Sequence, residues 1–476
     1  MEKNNKKITS RDVDFAKWYN DIISEADLVD YSSVKGSMII RPYGYAIWES
    51  MVSVLDKMFK DTGHVNVQMP MFIPESLFNI EKDHVEGFAP EVAWVTRGGS
   101  EKLEERMLVR PTSEVLFCEH YKKIIKSYRD LPLLYNQWCT IVRWEKTTRP
   151  FLRSREILWQ EGHTMHETEK EAREETLRML NVYTDFQKKY LAIPVIPGRK
   201  TDKEKFAGAE ETYTVEAMMY DGVALQNGTS HYFGQGFAKA FDIKFLNQKN
   251  LLENPYQTSW GVTTRMIGGL IMVHSDNLGL VLPPNIAPIK IGIIPIGDNK
   301  EVKNLILNLE KALTNANITY HTDNTDRSPG FKFAEAEVKG YPIRIEVGAR
   351  DLKENKITLV RRDTLEKITS NTNIEDIIKE INNLLNLIQS NLYNKAEIRR
   401  NSMLYKAKDL KEFEKYSDKP GFILTSWCGT EECEESVKEN YGLKSRCLPL
   451  DDETSDKPCT ICQKKGKYKL YYGKQY

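Results

Sequence analysis

Long hydrophobic runs are missing from this sequence, and so is an export signal at its start. No stretch of the 476 residues approaches the roughly 18 apolar residues that a membrane helix needs. The opening stretch MEKNNKKITS is charged and lacks the apolar centre of a signal peptide. These absences predict a soluble, cytoplasmic protein without a membrane partner.

An excess of charge of either sign is missing too. Lysine and arginine together number 68, and so do aspartate and glutamate, so a nucleic-acid partner would have to bind a local basic surface. No phosphate-binding loop of the form G-x-x-x-x-G-K-[ST] occurs, which excludes that common nucleotide site. The chain length predicts about two to four domains.

Cysteine is scarce over most of the chain. Cys118 and Cys139 are isolated, which is typical of buried free thiols, and the other five of the seven cysteines lie close to the C-terminus. Such clustering favours a local metal site over a disulfide framework.

The C-terminal cysteines form two close pairs and a single residue, Cys447. The pairs are C-x4-C and C-x2-C, which predicts a closed, structural Zn²⁺ site with four thiolate ligands, although four unrelated thiols remain the alternative. The predicted ligands are Cys428, Cys433, Cys459 and Cys462.

The hydrophobic pattern predicts an α+β domain over residues 1–286, a small α/β domain over 287–393 and a C-terminal domain over 394–476. Helices are expected over about 11–35, 42–60, 167–191 and 394–416. Antiparallel strands are expected in LLYNQWCTIVRWE, ILWQEGHTMH, GVALQNGTSHYFG and LGLVLPP.

The stretch LQNGTSHYFG suggests a nucleophile beside a base, because Ser230 precedes His231. In a strand, residues two apart share a face, so Thr229 and His231 point one way and Ser230 the other. A serine and histidine on opposite faces are poorly placed to hydrogen-bond, which disfavours a hydrolase site.

The same alternation occurs in RPTSE, VRWE and LWQEGH. A single polar pair is more simply a solvated face, but several in apolar strands favour a concave, ligand-binding sheet surface. Arginines on such a surface can bind phosphates or a carboxylate, and glutamates can bind a cation, such as Mg²⁺, or an amine. Aromatic rings can form flat apolar walls. The residues are Thr112, Glu114, Arg143, Glu145, Arg153, Trp159, Glu161, His163, Phe206 and Arg265.

Three segments together resemble the signature motifs of class II aminoacyl-tRNA synthetases. They are the helix and strand ending in VNVQMPMFIP, then VRWEKTTRPFLRSREILWQEGH, then SWGVTTRMIGGLIMVH. VRPTSE, HVEGFAPEVAWVT, KFAGAEETYTVEA and QNGTSHYFGQ narrow the resemblance to the prolyl-tRNA synthetase family, in the eukaryote/archaeon-like form with a C-terminal zinc-binding-like domain. The resemblance covers essentially the whole chain.

The resemblance implies an ATP-dependent ligase that joins L-proline to tRNA(Pro) through prolyl-adenylate, with Mg²⁺ as the cofactor of ATP. It implies a class II antiparallel-sheet catalytic domain, an anticodon-binding domain and a homodimer. Arg143 and Arg265 are the implied catalytic residues. The implied ATP site also includes Glu145, Arg153, Gln226, Thr229 and Thr263.

A proline pocket also follows from the chemistry of the ligand. The secondary ammonium of proline has two N–H donors, which Thr112 and Glu114 can accept on one face. Trp159, Phe206 and His163 can enclose its small apolar ring. The resemblance adds Arg143, Glu161, His231 and Ser259 to this pocket.

The segments DRSPGFKF and GYPIRIEVGARDL resemble the family's anticodon-binding domain. A stacking ring at Phe333 and a guanidinium fork at Arg344 would suit unstacked RNA bases. The alternative is that Phe333 belongs to the core and the charges are solvated. The anticodon residues implied are Phe333, Glu337, Arg344, Arg350 and Asp351, and the resemblance also directs the terminal Tyr476 toward the catalytic domain.

Two other functions compete with this one. A catalytically silent synthetase paralogue would act as an RNA-binding or regulatory module, but such paralogues tend to lose the set Arg143, Glu145 and Arg265, which is intact here. A ligase that transfers its amino acid to a non-tRNA acceptor would have no use for a complete anticodon-type domain.

Overall fold

The computed structural model describes residues 8–80 and 92–476. Part of the motif HVEGFAPEVAWVT lies outside these residues. The helices are α1 (Phe15–Glu25), α2 (Pro42–Asp61), α3 (Glu75–Phe78), α4 (Glu114–Ile124), α5 (Glu169–Lys189), α6 (Gly236–Ala240), α7 (Arg265–His274), α8 (Lys300–Asn315), α9 (Pro329–Lys339), α10 (Ala349–Lys353), α11 (Ile374–Ser402), α12 (Leu410–Ser417) and α13 (Glu431–Tyr441), with a short 3₁₀ helix at Tyr128–Asp130.

The first strands build the N-terminal half of the chain. They are β1 (Val29–Tyr31), β2 (Met38–Ile40), β3 (Val65–Asn66), β4 (Phe72–Pro74), β5 (Ala93–Gly98), β6 (Glu101–Val109), β7 (Leu133–Val142), β8 (Glu156–His166), β9 (Ile196–Arg199), β10 (Glu211–Met218), β11 (Ala224–Gly234), β12 (Phe245–Leu246), β13 (Leu252–Glu253) and β14 (Tyr256–Thr263). The later strands are β15 (Ile291–Ile296), β16 (Tyr320–Thr322), β17 (Ile343–Gly348), β18 (Lys356–Arg361), β19 (Lys367–Asn371), β20 (Leu404–Ala407), β21 (Phe422–Trp427), β22 (Lys444–Ser445), β23 (Leu448–Pro449) and β24 (Tyr468–Gly473).

A large sheet with the strand order β23-β9-β10-β11-β14-β8-β7-β3 forms the centre of the molecule. Its neighbouring strands are antiparallel except for β3 and β7. Helix α5 packs across one face, where Tyr183 and Trp260 join the core. Gly162 in β8 is required there, because a Cβ atom at this position would lie 2.0 Å from the Trp260 ring. The opposite face is left for a cavity.

The α/β part that follows has a sheet of order β16-β15-β17-β18-β19. Strands β15, β16 and β17 are parallel, and β18 and β19 run antiparallel beside them. Helices α8 and α11 bury an apolar core against this sheet. The mixed α/β architecture expected from the sequence is confirmed.

Residues 404–476, here called the C-terminal part, form a sheet of order β20-β21-β24-β22 with helices α12 and α13. Strand β23 also belongs to this part, but it pairs with β9 at the edge of the large sheet and not with the C-terminal sheet. The C-terminal part therefore contributes one edge strand to the large sheet.

Several predicted elements were wrong. The helix expected over 11–35 is α1 alone, because Asp27 adopts a positive φ of 57° and the chain then turns into β1 and β2. LGLVLPP forms no strand, since Pro283 and Pro284 have no N–H to donate. Residues 394–416, expected to form one helix, instead form the end of α11, strand β20 and most of α12. Helix α11 also continues without a break through position 393, where the sequence predicted a domain boundary.

Candidate active site

The open face of the large sheet carries a cavity of about 190 Å³. All of the residues predicted for the proline and ATP sites line it. They come from β8, β11, β14, the start of α4, the start of α7 and the loops around residues 143–153 and 206, and they are Thr112, Glu114, Arg143, Glu145, Arg153, Trp159, Glu161, His163, Phe206, Gln226, Thr229, His231, Ser259, Thr263 and Arg265.

The cavity has an acidic end and an arginine end along strand β14. Ser259 approaches the Glu114 carboxylate, with Oγ 3.4 Å from Oε1. Thr263 lies four residues further, about 13 Å along an extended strand, and its Oγ1 accepts the backbone N–H of Arg265. An elongated ligand with an ammonium at one end and phosphates at the other would match this polarity.

Buried carboxylates dominate the acidic end. The Thr112 hydroxyl donates to Glu114 Oε2 at 2.5 Å, and the two side chains are buried. Burial alone would raise the pKa of Glu161, but hydrogen bonds and charge from His163, with further bonds from Ser113 and Gln137, outweigh burial and lower the pKa to about 2. Glu161 is therefore a fixed anion.

An aromatic wall adjoins the acidic end. The Phe206 ring lies 4.5 Å from the His231 ring, centroid to centroid, and Thr212 Oγ1 is 3.0 Å from His231 Nδ1. Burial lowers the pKa of His231 to about 3, with smaller contributions from His163 and Arg143, so its ring is neutral. Among the described residues the buried Trp159 Nε1 has no hydrogen-bond partner, which leaves a donor for a ligand.

Guanidinium groups converge at the arginine end. Arg143 lies over the Trp159 ring at 5.0 Å, and its Nε donates to the Pro111 carbonyl. Arg265 contacts the carbonyls of Leu152 and Gln226 at 3.3 and 3.4 Å. Enclosure, together with the charges of Arg143 and Arg153, lowers the pKa of Arg265 to about 10. Mutually repelling cations in one cavity indicate a site for an anionic ligand.

A β-bulge aligns the side chains of β11. Thr214 pairs with Thr229 and Glu216 with Gln226, so two residues of β11 face one residue of β10. The extra residue allows Gln226 and Thr229, three apart in sequence, to line the same cavity. Ser230 points away, donating to the Thr176 carbonyl, so the predicted separation of Ser230 from His231 is confirmed.

The strand-face interpretation was right for β8 and β11 and wrong for the pairs Thr112/Glu114 and Arg143/Glu145. Trp159, Glu161 and His163 alternate within β8 as predicted. Thr112 and Glu114 do not share a strand, because Glu114 is the first residue of α4. Arg143 and Glu145 follow the end of β7, which stops at Val142. They reach the cavity because the loops fold over it.

Sequence reasoning missed the residues that hold the site. Ser113 and Gln137 donate to Glu161, and Thr212 links His231 to the backbone N–H of Phe206. Thr212, Thr214 and Glu216 alternate in ETYTVEA, so the period-2 pattern could have identified them.

The residues predicted to meet an anticodon lie around β17. Arg344 is buried and donates to Glu337 and Glu346 at 2.9 Å, with its guanidinium 4.5 Å from the Phe333 ring. Phe333 is partly buried against the core, Arg350 is exposed and Asp351 is half-buried on α10. Phe333, Glu337 and Arg344 therefore form one connected group.

The four cysteines predicted as metal ligands converge in the C-terminal part. The sulfur atoms of Cys428, Cys433, Cys459 and Cys462 all lie within 4.8 Å of one another. Tetrahedral Zn²⁺ with bonds near 2.3 Å requires sulfur separations of about 3.8 Å, so this cluster fits zinc. Cys447 is buried elsewhere, against Gly198.

The last residue reaches the loop beside the arginine end. The Tyr476 hydroxyl donates to Asp221 at 2.5 Å, and its main-chain oxygen lies 3.5 Å from Arg153 Nη2. Arg149 lies over its ring at 5.7 Å.

Within residues 8–80 and 92–476, no helix is both long and apolar enough to span a membrane.

An antiparallel sheet that carries arginines on a strand-loop-strand unit and at the start of a following helix defines the class II aminoacyl-tRNA synthetases. Family models agree. Residues 94–274 match the class II tRNA synthetase core domain for G, H, P, S and T, residues 290–384 match the anticodon binding domain, and residues 410–476 match the prolyl-tRNA synthetase C-terminal domain.

Relatives that match this chain over nearly its full length are named proline–tRNA ligases. Proline–tRNA ligase 2 of Bacillus cereus is 56% identical over 475 residues, covering 98% of each chain. Proline–tRNA ligase of Ruminiclostridium cellulolyticum is 57% identical, covering 99% of this chain and 98% of its own. The prolyl-tRNA synthetase of Cryptosporidium parvum, solved with halofuginone and AMPPNP, superimposes with a TM-score of 0.94 at 38% identity, covering 98% of this chain and 99% of that chain. The chain belongs to the prolyl-tRNA synthetase family.

Proposed function

We propose that the chain activates L-proline with ATP and transfers it to the 3′ end of tRNA(Pro). The observation that carries the proposal is a single cavity with buried carboxylates at one end and converging arginines at the other. The similar Cryptosporidium parvum enzyme was solved with AMPPNP, an ATP analogue, which supports a nucleotide at such a site.

The acidic end suits the proline ammonium. Thr112 and Glu114 supply two buried oxygen acceptors, and Glu161 adds a fixed negative charge nearby. The ring of proline is enclosed by aromatic side chains, and the neutral His231 adds no competing cation. The residues assigned to proline are Thr112, Glu114, Arg143, Trp159, Glu161, His163, Phe206, His231 and Ser259.

The arginine end suits ATP. Arg143 would hold the α-phosphate and the proline carboxylate, and Arg265 would contact the adenine and the γ-phosphate. The carboxylate attacks the α-phosphorus, forms a C–O–P bond and expels pyrophosphate, so catalysis rests on position and charge neutralisation. Glu145 is assigned to the adenine end, Arg153 to the phosphates, Gln226 and Thr229 to the ribose, and Thr263 to the same site.

Two metal ions complete the proposal. Mg²⁺ would arrive with ATP and neutralise charge on its phosphates. Zn²⁺ would occupy the four-cysteine cluster as a structural ion, since four thiolates leave no open coordination position.

Outside the cavity, tRNA(Pro) would be bound partly through Phe333, Glu337, Arg344, Arg350 and Asp351. In the connected group, the Arg344 guanidinium would release its hydrogen bond to Glu337 and donate instead to the edge of an RNA base. We assign the cytoplasm as the place of action, where tRNA is charged.

A homodimer is the proposed assembly. Strand β3 lies at the edge of the large sheet, and Val65, Met71 and Phe72 are about half exposed near it. Apolar side chains beside a free strand edge favour an isologous contact between two copies.

The proposal is tested by ATP–pyrophosphate exchange with each amino acid in turn. Proline alone should support strong exchange, and Arg143→Ala or Arg265→Ala should abolish it in a folded protein, because both contact charge that changes in the transition state. Arg129→Ala, on the exposed surface, is the matched control. A wild-type protein that binds tRNA but exchanges with no amino acid would instead identify a silent binding module.

A further inference from the structure

A buried ion cluster joins the C-terminal part to the catalytic sheet. Glu216 in β10 accepts from Lys200 at 2.8 Å and from Arg446 Nη2 and Nε at 2.8 and 3.1 Å. All three side chains are almost completely buried. Arg446 lies 230 residues from Glu216 and immediately precedes the segment that adds β23 to the sheet.

The backbone around the cluster is built for close approach. A Cβ atom at Gly198 would lie 2.6 Å from the Cys447 side chain and from the Leu448 carbonyl. Glycine at this position of β9 therefore permits β23 to pair there. The pairing places Arg446 beside Glu216.

Glu216 connects this cluster to the arginine end. Its ladder partner across β10 and β11 is Gln226, next to the bulge that aligns Gln226 with Thr229. The Gln226 carbonyl in turn accepts from Arg265 Nη1. Arg446 also contacts Gln475, the neighbour of Tyr476. One guanidinium thus restrains both the bulged strand and the chain end.

We propose that Arg446 is a positioning residue for adenylate formation: through Glu216 it fixes the bulged segment of β11, so that Gln226 and Arg265 are in place for ATP. The inference rests on the proposed function of the cavity. Arg446 lines no part of the cavity itself, so it acts through the groups it contacts, and Glu216 is the one that leads to Gln226 and Arg265.

The physical basis is the cost of a half-removed buried ion pair. Without Arg446, the carboxylate of Glu216 keeps Lys200 but loses two of its charge-assisted hydrogen bonds in a buried site. Relaxation of β10 would follow, and the adjacent bulge in β11 would move with it. Proline contacts from α4 and β8 would be spared.

The test is steady-state exchange kinetics with the full-length protein. In Arg446→Met we expect the KM for ATP to rise by about tenfold or more, since small misplacements of binding groups are costly. The KM for proline should stay within about twofold. Should this variant fail to fold, Arg446→Lys, which keeps the charge and loses the fork, should show the same selective rise in smaller degree.

Two controls distinguish a positioning role of Arg446 from a general loss of contact between the C-terminal part and the large sheet. Glu453→Gln removes an ion pair with Arg199 at the same junction, about three-quarters buried, and should leave the KM for ATP unchanged. In a Glu216→Gln background, Arg446→Met should have a smaller effect than in the wild type. An unchanged KM for ATP, an equal rise for proline, or an equal effect of Glu453→Gln overturns the inference. A wild type without proline-dependent exchange would defeat the proposed function instead.

Discussion

Two carboxylates at the acidic end of the cavity differ in the protein groups that hold them. Glu161 receives bonds from Ser113, Gln137 and His163, which account for its low pKa. Glu114 is the first residue of α4, where the helix dipole favours a carboxylate, and it accepts from the Thr112 hydroxyl and lies 3.4 Å from Ser259 Oγ. Glu114 is the carboxylate that we assign to the proline ammonium.

Replacing Glu114 with Gln should weaken proline binding selectively. Loss of a charged acceptor costs roughly 2–3 kcal/mol, which is roughly a 30- to 150-fold rise in the KM for proline. The KM for ATP should change little. Glu119→Gln, an exposed change on the same helix, is the control. Near-normal proline kinetics in Glu114→Gln would refute the assigned role.

Buried histidines predict a loss of stability in mild acid. Burial lowers the pKa of His231 to about 3 and that of His166 to about 4, so the unfolded chain binds more protons than the folded one between these values and about 6.5. The free energy of unfolding should therefore fall as pH drops through this window, by up to about 1.4 kcal/mol per pH unit for each histidine.

Urea unfolding at a series of pH values measures this slope. His231→Gln should reduce this slope. A slope in His231→Gln equal to that of the wild type would show that His231 is not held neutral by the fold.

Elements of secondary structure show which parts of the site were predictable. The alternation in β8 and β11 follows from the period-2 geometry of strands, so Trp159, Glu161 and His231 were placed correctly. Thr112 and Glu114 converge for a different reason, because the chain turns into α4 between them. A spacing of two residues does not distinguish such a turn from a strand. The quoted motifs identified the site where periodicity did not.

Long-range pairings could not be predicted from spacing. The contact of Arg446 with Glu216 joins positions 230 apart, and β23 is only two residues long. The bulge in β11 depends on the register of β10. Such features depend on how separate segments pack, and no local pattern in the sequence encodes them.

At the scale of the whole molecule, the exposed apolar residues near β3 predict a dimer of about 110 kDa, twice the chain mass of 55.1 kDa. Phe72→Asp should shift the protein toward monomer in sedimentation and lower its exchange activity. Leu252→Asp, on the exposed surface of the β12–β13 hairpin, should leave both unchanged. A fully active wild-type monomer would contradict the proposed assembly.

The C-terminal part should depend on zinc for its fold, and the chain end should depend on that fold. The cysteine cluster is tied to β21, since Thr460 N–H donates to the Ser426 carbonyl, and β21 pairs with β24, which leads to Tyr476. Cys459→Ser should lose the metal and lower the Tm by more than about 10 °C, because metal-binding free energy is folding free energy in such modules. Cys447→Ala should keep its zinc.

Removal of Tyr476 isolates the contribution of the chain end from that of the metal. The truncated protein should keep its zinc and its Tm within a few degrees, since Tyr476 is a terminal residue outside the cysteine cluster. It loses the hydrogen bond to Asp221 and the contact with Arg153, the loop residue assigned to the ATP phosphates. Exchange and aminoacylation should therefore fall together. If both rates match those of the intact protein, the terminus has no part in the chemistry.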